Sequence, residues 1–261
     1  KRQLGNPKPR VFRLEKDQAL INRLGFNNHG SEIISKRISD NLPIGFLGIN
    51  VGPNKDTNNK EEDYYLCLSK LSAHAGYLTI NISSPNTEGL RDFHDEIELQ
   101  KLLEGINKIK KDKNISKPLV LKISPDINNG DVGKIIELII KFKISGVIVS
   151  NTTDRNREKL SDIQKNEIGG LSGKPLKDLS TKLIKKFYKE SKGKIVIIGV
   201  GGVDTGQSAF EKISAGARAV QLYTGMVYKG PGVVKDMKKE LISILKKENL
   251  KNISEAVGIN A

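Results

Sequence analysis

Six short apolar runs, each ending in small or polar residues, divide the chain at 46–50, 77–81, 119–124, 146–151, 195–199 and 219–224. Between them lie amphipathic segments with helical spacing, over 64–75, 96–111, 131–142, 180–191 and 207–215. This alternation predicts parallel strands joined by crossover helices and buried on both faces. Two architectures satisfy it, a doubly wound sheet and a (β/α)8 barrel. In both, functional groups collect at the carboxyl ends of the strands. Those ends read Asn50, Asn81 with Ser84, Lys122, Ser150-Asn151, Gly199 to Gly202 and Tyr223-Thr224-Gly225. A doubly wound sheet would spread these groups along a line, whereas a barrel brings them to one mouth. The barrel is therefore the expected fold, an α/β (β/α)8 TIM barrel.

At 261 residues and 37% hydrophobic, the chain can bury one sizeable core, and 1–261 is read as a single domain. One cysteine, Cys67, excludes a disulfide framework, and it falls in a helical segment where a buried structural role is expected. His29, His74 and His94 show no ligand spacing, so no metal is expected. No apolar run is long enough to span a bilayer, and the first residues do not read as a signal peptide. The net charge of +14 raises the question of a nucleic-acid partner. The lysines of 108–113, 182–189 and 238–247 alternate with Ile and Leu at helical spacing and lack interleaved aromatics. They read as solvated helix faces, and no nucleic acid is expected.

The most unusual stretch is 80–87, where an apolar strand end breaks into Asn81, Ser83, Ser84, Pro85, Asn86 and Thr87. Such residues are ordinary turn formers when met alone. Gly199-Val200-Gly201-Gly202 opens a helix, and Tyr223-Thr224-Gly225 follows the last run. Together with Gly169-Gly170-Leu171-Ser172-Gly173, they fit a phosphate held by backbone N–H groups. A tight strand-to-helix turn explains the glycines of 199–202 equally well. Lys122 interrupts an apolar strand, where an unpaired ammonium is costly. It should meet an anion or a polarised carbonyl at the mouth, or else pair with a neighbouring carboxylate.

Asn22-Arg23-Leu24-Gly25-Phe26, Gly48-Ile49-Asn50-Val51-Gly52, Asn81 through Thr87, Ser150-Asn151-Thr152-Thr153, Gly169 through Gly173 and Gly199 through Gly202 occur together and in this order. From about Gly5 to the C-terminus the chain resembles the dihydroorotate dehydrogenases, specifically the quinone-dependent, membrane-associated class 2. The resemblance implies an FMN barrel that oxidises dihydroorotate to orotate and passes the electrons to a quinone. FMN would be held by Asn50, Asn81, Lys122, Ser150, Gly173, Gly202, Tyr223 and Thr224. Substrate would meet Asn22, Arg23, Leu24, Gly25, Phe26, Asn81, Asn86, Asn151 and Thr152. Ser84 takes the place of the catalytic base, where class 1 enzymes carry cysteine, and Thr87 and Phe26 would frame its proton relay.

Pro53, Glu88 and Ser150 depart from the residues usual in the family, at positions that tolerate the change. The resemblance expects residues 1–261 to supply the last six βα units. Two strands and an amphipathic, membrane-docking region would lie upstream of Lys1, and 1–261 alone would expose a strand edge. It further implies a monomer attached peripherally to the inner face of a bacterial cytoplasmic membrane, or to the mitochondrial inner membrane. Two other readings are an FMN barrel of the dihydrouridine synthase type acting on tRNA, and an inactive barrel fragment. The first calls for a catalytic cysteine, which the helical placement of Cys67 does not offer.

Overall fold

The six apolar runs form one parallel sheet in the computed structural model, which describes residues 1–84, 90–128 and 130–261. In chain order the first elements are β1 (Val11–Leu14), β2 (Ala19–Asn22), α1 (Ser31–Asp40), β3 (Gly48–Val51), α2 (Lys60–Leu71), β4 (Tyr77–Asn81) and α3 (Glu96–Asp112). They continue with β5 (Leu119–Ile123), α4 (Asp131–Lys141), β6 (Gly146–Val149), β7 (Gly170–Gly173) and α5 (Lys177–Glu190). The last are β8 (Val196–Val200), α6 (Gly206–Ser214), β9 (Ala219–Gln221), α7 (Thr224–Lys229) and α8 (Val233–Lys247). The parallel sheet has the order β3-β4-β5-β6-β8-β9.

Strand alternation assigns the two faces. Leu78 and Ile80 of β4, Leu119, Leu121 and Ile123 of β5, Val147 and Val149 of β6, and Ile197 of β8 point to one side. There they join α2 to α5 in the main core. The helices supply matching stripes, such as Val132, Ile135, Ile136 and Ile139 of α4. Local chemistry fixes the helix starts. The Asn59 side chain accepts the Glu62 N–H, the Asp95 carboxylate accepts those of Ile97 and Glu98, and Thr205 with Ser208 forms a capping box on α6.

The opposite face carries Asn50, Tyr77, Asn81, Lys122, Ser150 and Gln221. The sheet curls around it, so that Gln221 Nε2 of β9 donates to the Tyr77 hydroxyl of β4 at 3.1 Å. Burial on both faces, expected for all six strands, holds for β4, β5 and β6. It does not hold for β3 and β8, whose inward residues Gly48, Asn50 and Val196 are exposed. The described sheet is thus a curled half-barrel of six strands.

A second sheet, absent from the sequence reading, is antiparallel with order β1-β2-β7. The glycine-rich 169–173 segment, read from the sequence only as part of a phosphate site, forms its third strand, with Gly173 opposite Ala19 and Leu171 opposite Ile21. Gly173 has φ +97°, and a Cβ there would lie 2.4 Å from the Gln18 carbonyl oxygen, so close strand approach requires glycine. Phe12, Leu14, Ile21 and Leu171 give this sheet its own small core. Tyr228 of α7 ties it down by donating its hydroxyl to the carbonyls of Leu14 and Ala19.

Candidate active site

The carboxyl ends of β5, β6 and β8 and the start of α7 enclose a cavity, closed on one side by the small sheet. Of the residues expected at the site, Asn22, Lys122, Ser150, Asn151, Thr152, Gly173, Gly202, Tyr223 and Thr224 line it. Asn81 lies beside it, opposite Lys122 in the β4–β5 register. Asn50 and Phe26 border a neighbouring cleft between β3, α1 and α2. Gly25, with φ +69°, leads into Phe26, whose carbonyl accepts the Asn28 side chain at 2.7 Å. Leu24 binds Asn6 through its carbonyl. The Arg23 guanidinium turns away, pairing with Glu167 at 2.8 Å and lying over the Phe12 ring. Asn86 and Thr87 lie outside the described residues.

Asn81 is buried and oriented from several sides. The Tyr64 hydroxyl, itself buried, donates to its backbone carbonyl at 2.6 Å. Its Oδ1 accepts from the Ser83 N–H at 3.2 Å and the Ser83 hydroxyl at 2.9 Å, with Asn151 Nδ2 at 3.5 Å. Asn151 also donates to Ser83 Oγ at 3.0 Å. With its oxygen saturated, Asn81 directs an Nδ2 donor that finds no acceptor among the described residues. Beside it, Lys122 Nζ likewise forms no hydrogen bond or ion pair with a described residue, and burial pushes its pKa down. The carboxylate partner held open for Lys122 is absent among the described residues. Ser84 is buried at the same strand end.

At the far end of the cavity, Gly201 and Gly202 turn with φ of +115° and +69°. A Cβ on Gly202 would fall 2.6 Å from Lys177 Cβ and 2.9 Å from its backbone nitrogen. Ser172 and Thr224 hydroxyls meet across this end at 2.8 Å, and the Asp204 carboxylate is taken by Lys229 at 3.1 Å. The cavity therefore has donors without acceptors at one end and a glycine turn with hydroxyls at the other.

Comparison with known proteins places this geometry. A sequence model described as dihydroorotate dehydrogenase matches residues 1–245. The chain belongs to the dihydroorotate dehydrogenase family. It is 44% identical over 260 residues to the dihydroorotate dehydrogenase (quinone) of Bartonella tribocorum, covering 98% of this chain and 72% of that protein. It is also 44% identical to the mitochondrial dihydroorotate dehydrogenase (quinone) of Mus musculus, covering 99% and 68%. A crystal structure of DHODH from Eimeria tenella in complex with ferulenol superposes with a TM-score of 0.95 at 37% identity, covering 100% of this chain and 76% of that one.

Within this family fold, the sequence reading missed a buttress beneath the mouth. Arg91 pairs with Asp126 at 3.0 Å and Asp154 at 2.9 Å, and the Thr153 hydroxyl donates to Asp126 at 2.5 Å. Burial, opposed by Thr153 and Arg91, leaves the Asp126 carboxyl above its usual range. His94 Nε2 accepts the Ser124 N–H at 3.1 Å, so its proton sits on Nδ1, facing the Arg91 carbonyl at 2.9 Å. These contacts join the ends of β5 and β6 to Arg91 and His94. The only signal was charge next to polar strand ends, and its meaning depends on pairing across the fold. Among the described residues no cluster could hold a metal ion, and no helix is long and apolar enough to cross a membrane. Cys67 is half-buried in α2, where burial raises its thiol pKa.

Proposed function

We propose that the protein oxidises dihydroorotate to orotate in pyrimidine biosynthesis, with FMN bound in the cavity and a quinone as the final electron acceptor. The observation that carries the FMN reading is the pair of adjacent donors, Lys122 Nζ and Asn81 Nδ2, without acceptors among the described residues. They suit the carbonyl and ring-nitrogen edge of a flavin, while the Gly201–Gly202 turn with Thr224 suits a phosphate. When bound, FMN supplies the hydride acceptor.

The residues of this chain do the rest. Lys122 would hold the ring edge of the flavin and supply positive charge where negative charge develops on reduction. Asn81 offers its Nδ2 donor, and Asn22 and Asn151 line the cavity beside it, so that this cluster of amides suits the N–H, C=O and carboxylate groups of the substrate. Asn50, Ser150, Gly173, Gly202 and Tyr223 complete the cofactor contacts. Gly25, Phe26 and Thr152, with Asn86, complete those to substrate. Ser84 takes a proton from C5, acting as a base only because burial excludes water and its own proton is passed on. Phe26 and Thr87 frame that relay.

We read the six-stranded curl as the last six βα units of a (β/α)8 barrel, with 1–261 as one domain. The extent of the Eimeria tenella match supports this reading. Peripheral attachment to a bacterial cytoplasmic or mitochondrial inner membrane belongs to the same proposal, supported by the quinone named for the relatives, and a monomeric state is part of it. The test is an anaerobic visible spectrum before and after adding dihydroorotate. A flavin band that bleaches is expected. An unmoved band would overturn the substrate and the role of Ser84, and the absence of a flavin band would overturn the cofactor.

A further inference from the structure

Lys212 of α6 is fully buried, yet among the described residues none of its hydrogen-bond partners is a carboxylate. Its Nζ donates to the Lys177 carbonyl at 2.6 Å, Ser180 Oγ at 2.6 Å and Thr181 Oγ1 at 2.5 Å. All three acceptors are neutral oxygens in the first turns of α5. The adjacent Glu211 carboxylate is occupied by Lys177 Nζ at 3.0 Å. Burial brings the Lys212 pKa down to about 7. An ammonium in such surroundings is costly compared with an apolar side chain of the same length. Packing α5 against α6 does not require it.

What the ammonium does that a methionine cannot is impose a direction on hydrogen bonds. When protonated, Lys212 Nζ has three donors and no acceptor, so Ser180 then presents a lone pair to it. The Ser180 proton then goes to the other side, toward the Gly201 carbonyl at 3.3 Å and the Lys177 carbonyl at 3.2 Å. The Lys177 carbonyl already accepts from Lys212 and from Thr181 at 2.8 Å, which leaves Gly201 as the acceptor in need of a donor. The same helix turn is the floor of the glycine turn. A Cβ on Gly201 would lie 2.8 Å from Ser180 Oγ, and Gly202 rests on Lys177. An unbroken set of contacts runs from Lys212 through Ser180 and Lys177 to the wall of the cavity.

We propose that Lys212 is a positioning residue for the phosphate end of the flavin site, orienting the Ser180 hydroxyl so that the Gly201–Gly202 turn keeps its backbone N–H groups toward the phosphate. This rests on FMN as the occupant of the cavity. Lys212 does not touch the cofactor. Its effect is confined to the part of the ligand that distinguishes FMN from riboflavin.

The test measures binding of FMN and of riboflavin to the flavin-free protein by quenching of flavin fluorescence, for wild type, Lys212→Met and Ser180→Ala. Both variants should bind FMN about fivefold to tenfold more weakly, the equivalent of one net hydrogen bond. Riboflavin binding should stay within about twofold. Equal weakening of both flavins would make Lys212 a general support of the core and overturn the proposal, as would unchanged FMN binding. If Lys212→Met does not fold, Ser180→Ala decides by the same criterion. A wild type that binds FMN no better than riboflavin would instead remove the phosphate site, and with it both the FMN reading and the role of Lys212. Preserved wild-type preference with unaffected variants would fail the role of Lys212 alone.

Discussion

Lys122→Met should act in opposite directions on the flavin-free and flavin-loaded protein. In the structure, Lys122 Nζ sits at the cavity without a partner among the described residues, and burial disfavours its charge. Methionine keeps most of the stem volume and removes the ammonium. A polar group left unsatisfied and fully buried costs about 1–3 kcal/mol, and because Lys122 Nζ opens onto the cavity and keeps part of its hydration, its cost is at the low end, about 1 kcal/mol. For a chain of this size about 1 kcal/mol moves the melting midpoint by about 2–4 °C. The flavin-free variant should therefore melt about 2–4 °C higher than wild type. With flavin present the balance reverses, because a charge-assisted hydrogen bond worth about 1.5–3 kcal/mol is lost. FMN should then bind roughly ten- to a hundredfold more weakly. The assay is thermal melting of both forms, with a fluorescence titration of FMN. A variant that melts below wild type when flavin-free, or that binds FMN with unchanged affinity, would refute the assignment of Lys122 as a donor held ready for the flavin.

Ser84→Ala should leave the protein yellow and slow flavin reduction by dihydroorotate at least about a hundredfold in stopped-flow absorbance, and near-normal reduction would remove Ser84 from the mechanism. Gly202→Ala forces a side chain onto the Lys177 backbone at a positive φ. It should destabilise the fold by roughly 1–3 kcal/mol in urea unfolding and weaken FMN more than riboflavin, whereas wild-type stability would show that the turn can shift. His94 has its pKa pushed below 6.5, chiefly by burial. The unfolded chain therefore binds the extra proton first, and the stability His94 contributes above about pH 6.5 is lost as the pH falls below it. The melting midpoint of wild type should drop more between pH 7.5 and 5.5 than that of His94→Gln, and parallel profiles would contradict a neutral His94 holding Ser124.

The strands and helices that build the parallel sheet were legible because each signal is local. Leu119 to Ile123 is an apolar run of strand length, and 131–142 repeats Val and Ile at helical spacing, so neither needed a partner to be recognised. The small sheet was not legible. Gly170 to Gly173 carries a single large apolar residue, and only pairing with Ala19 to Asn22 makes it a strand. The run at 219–224 was read too long because Gln221 ends the strand and Thr224 already starts α7. Arg91 and Asp126, or Lys212 and Ser180, are far apart in sequence, and either member alone reads as a surface charge or a turn residue.

The sequence by itself determined the alternation of strands and helices, the polar groups at the strand ends, the lysine inside an apolar strand at Lys122, and the family motifs that carry Ser84 and the asparagines proposed for the site. Those follow from side-chain period and residue type, which are properties of neighbours along the chain. Only the tertiary structure decided that, among the described residues, the Asn81 oxygen is saturated while its nitrogen is not and Lys122 lacks a carboxylate, and that Arg23 faces Glu167 instead of the cavity. Hydrogen-bond satisfaction is a sum over atoms brought together from distant segments, so it exists only once the sheet has curled and the small sheet has closed over it.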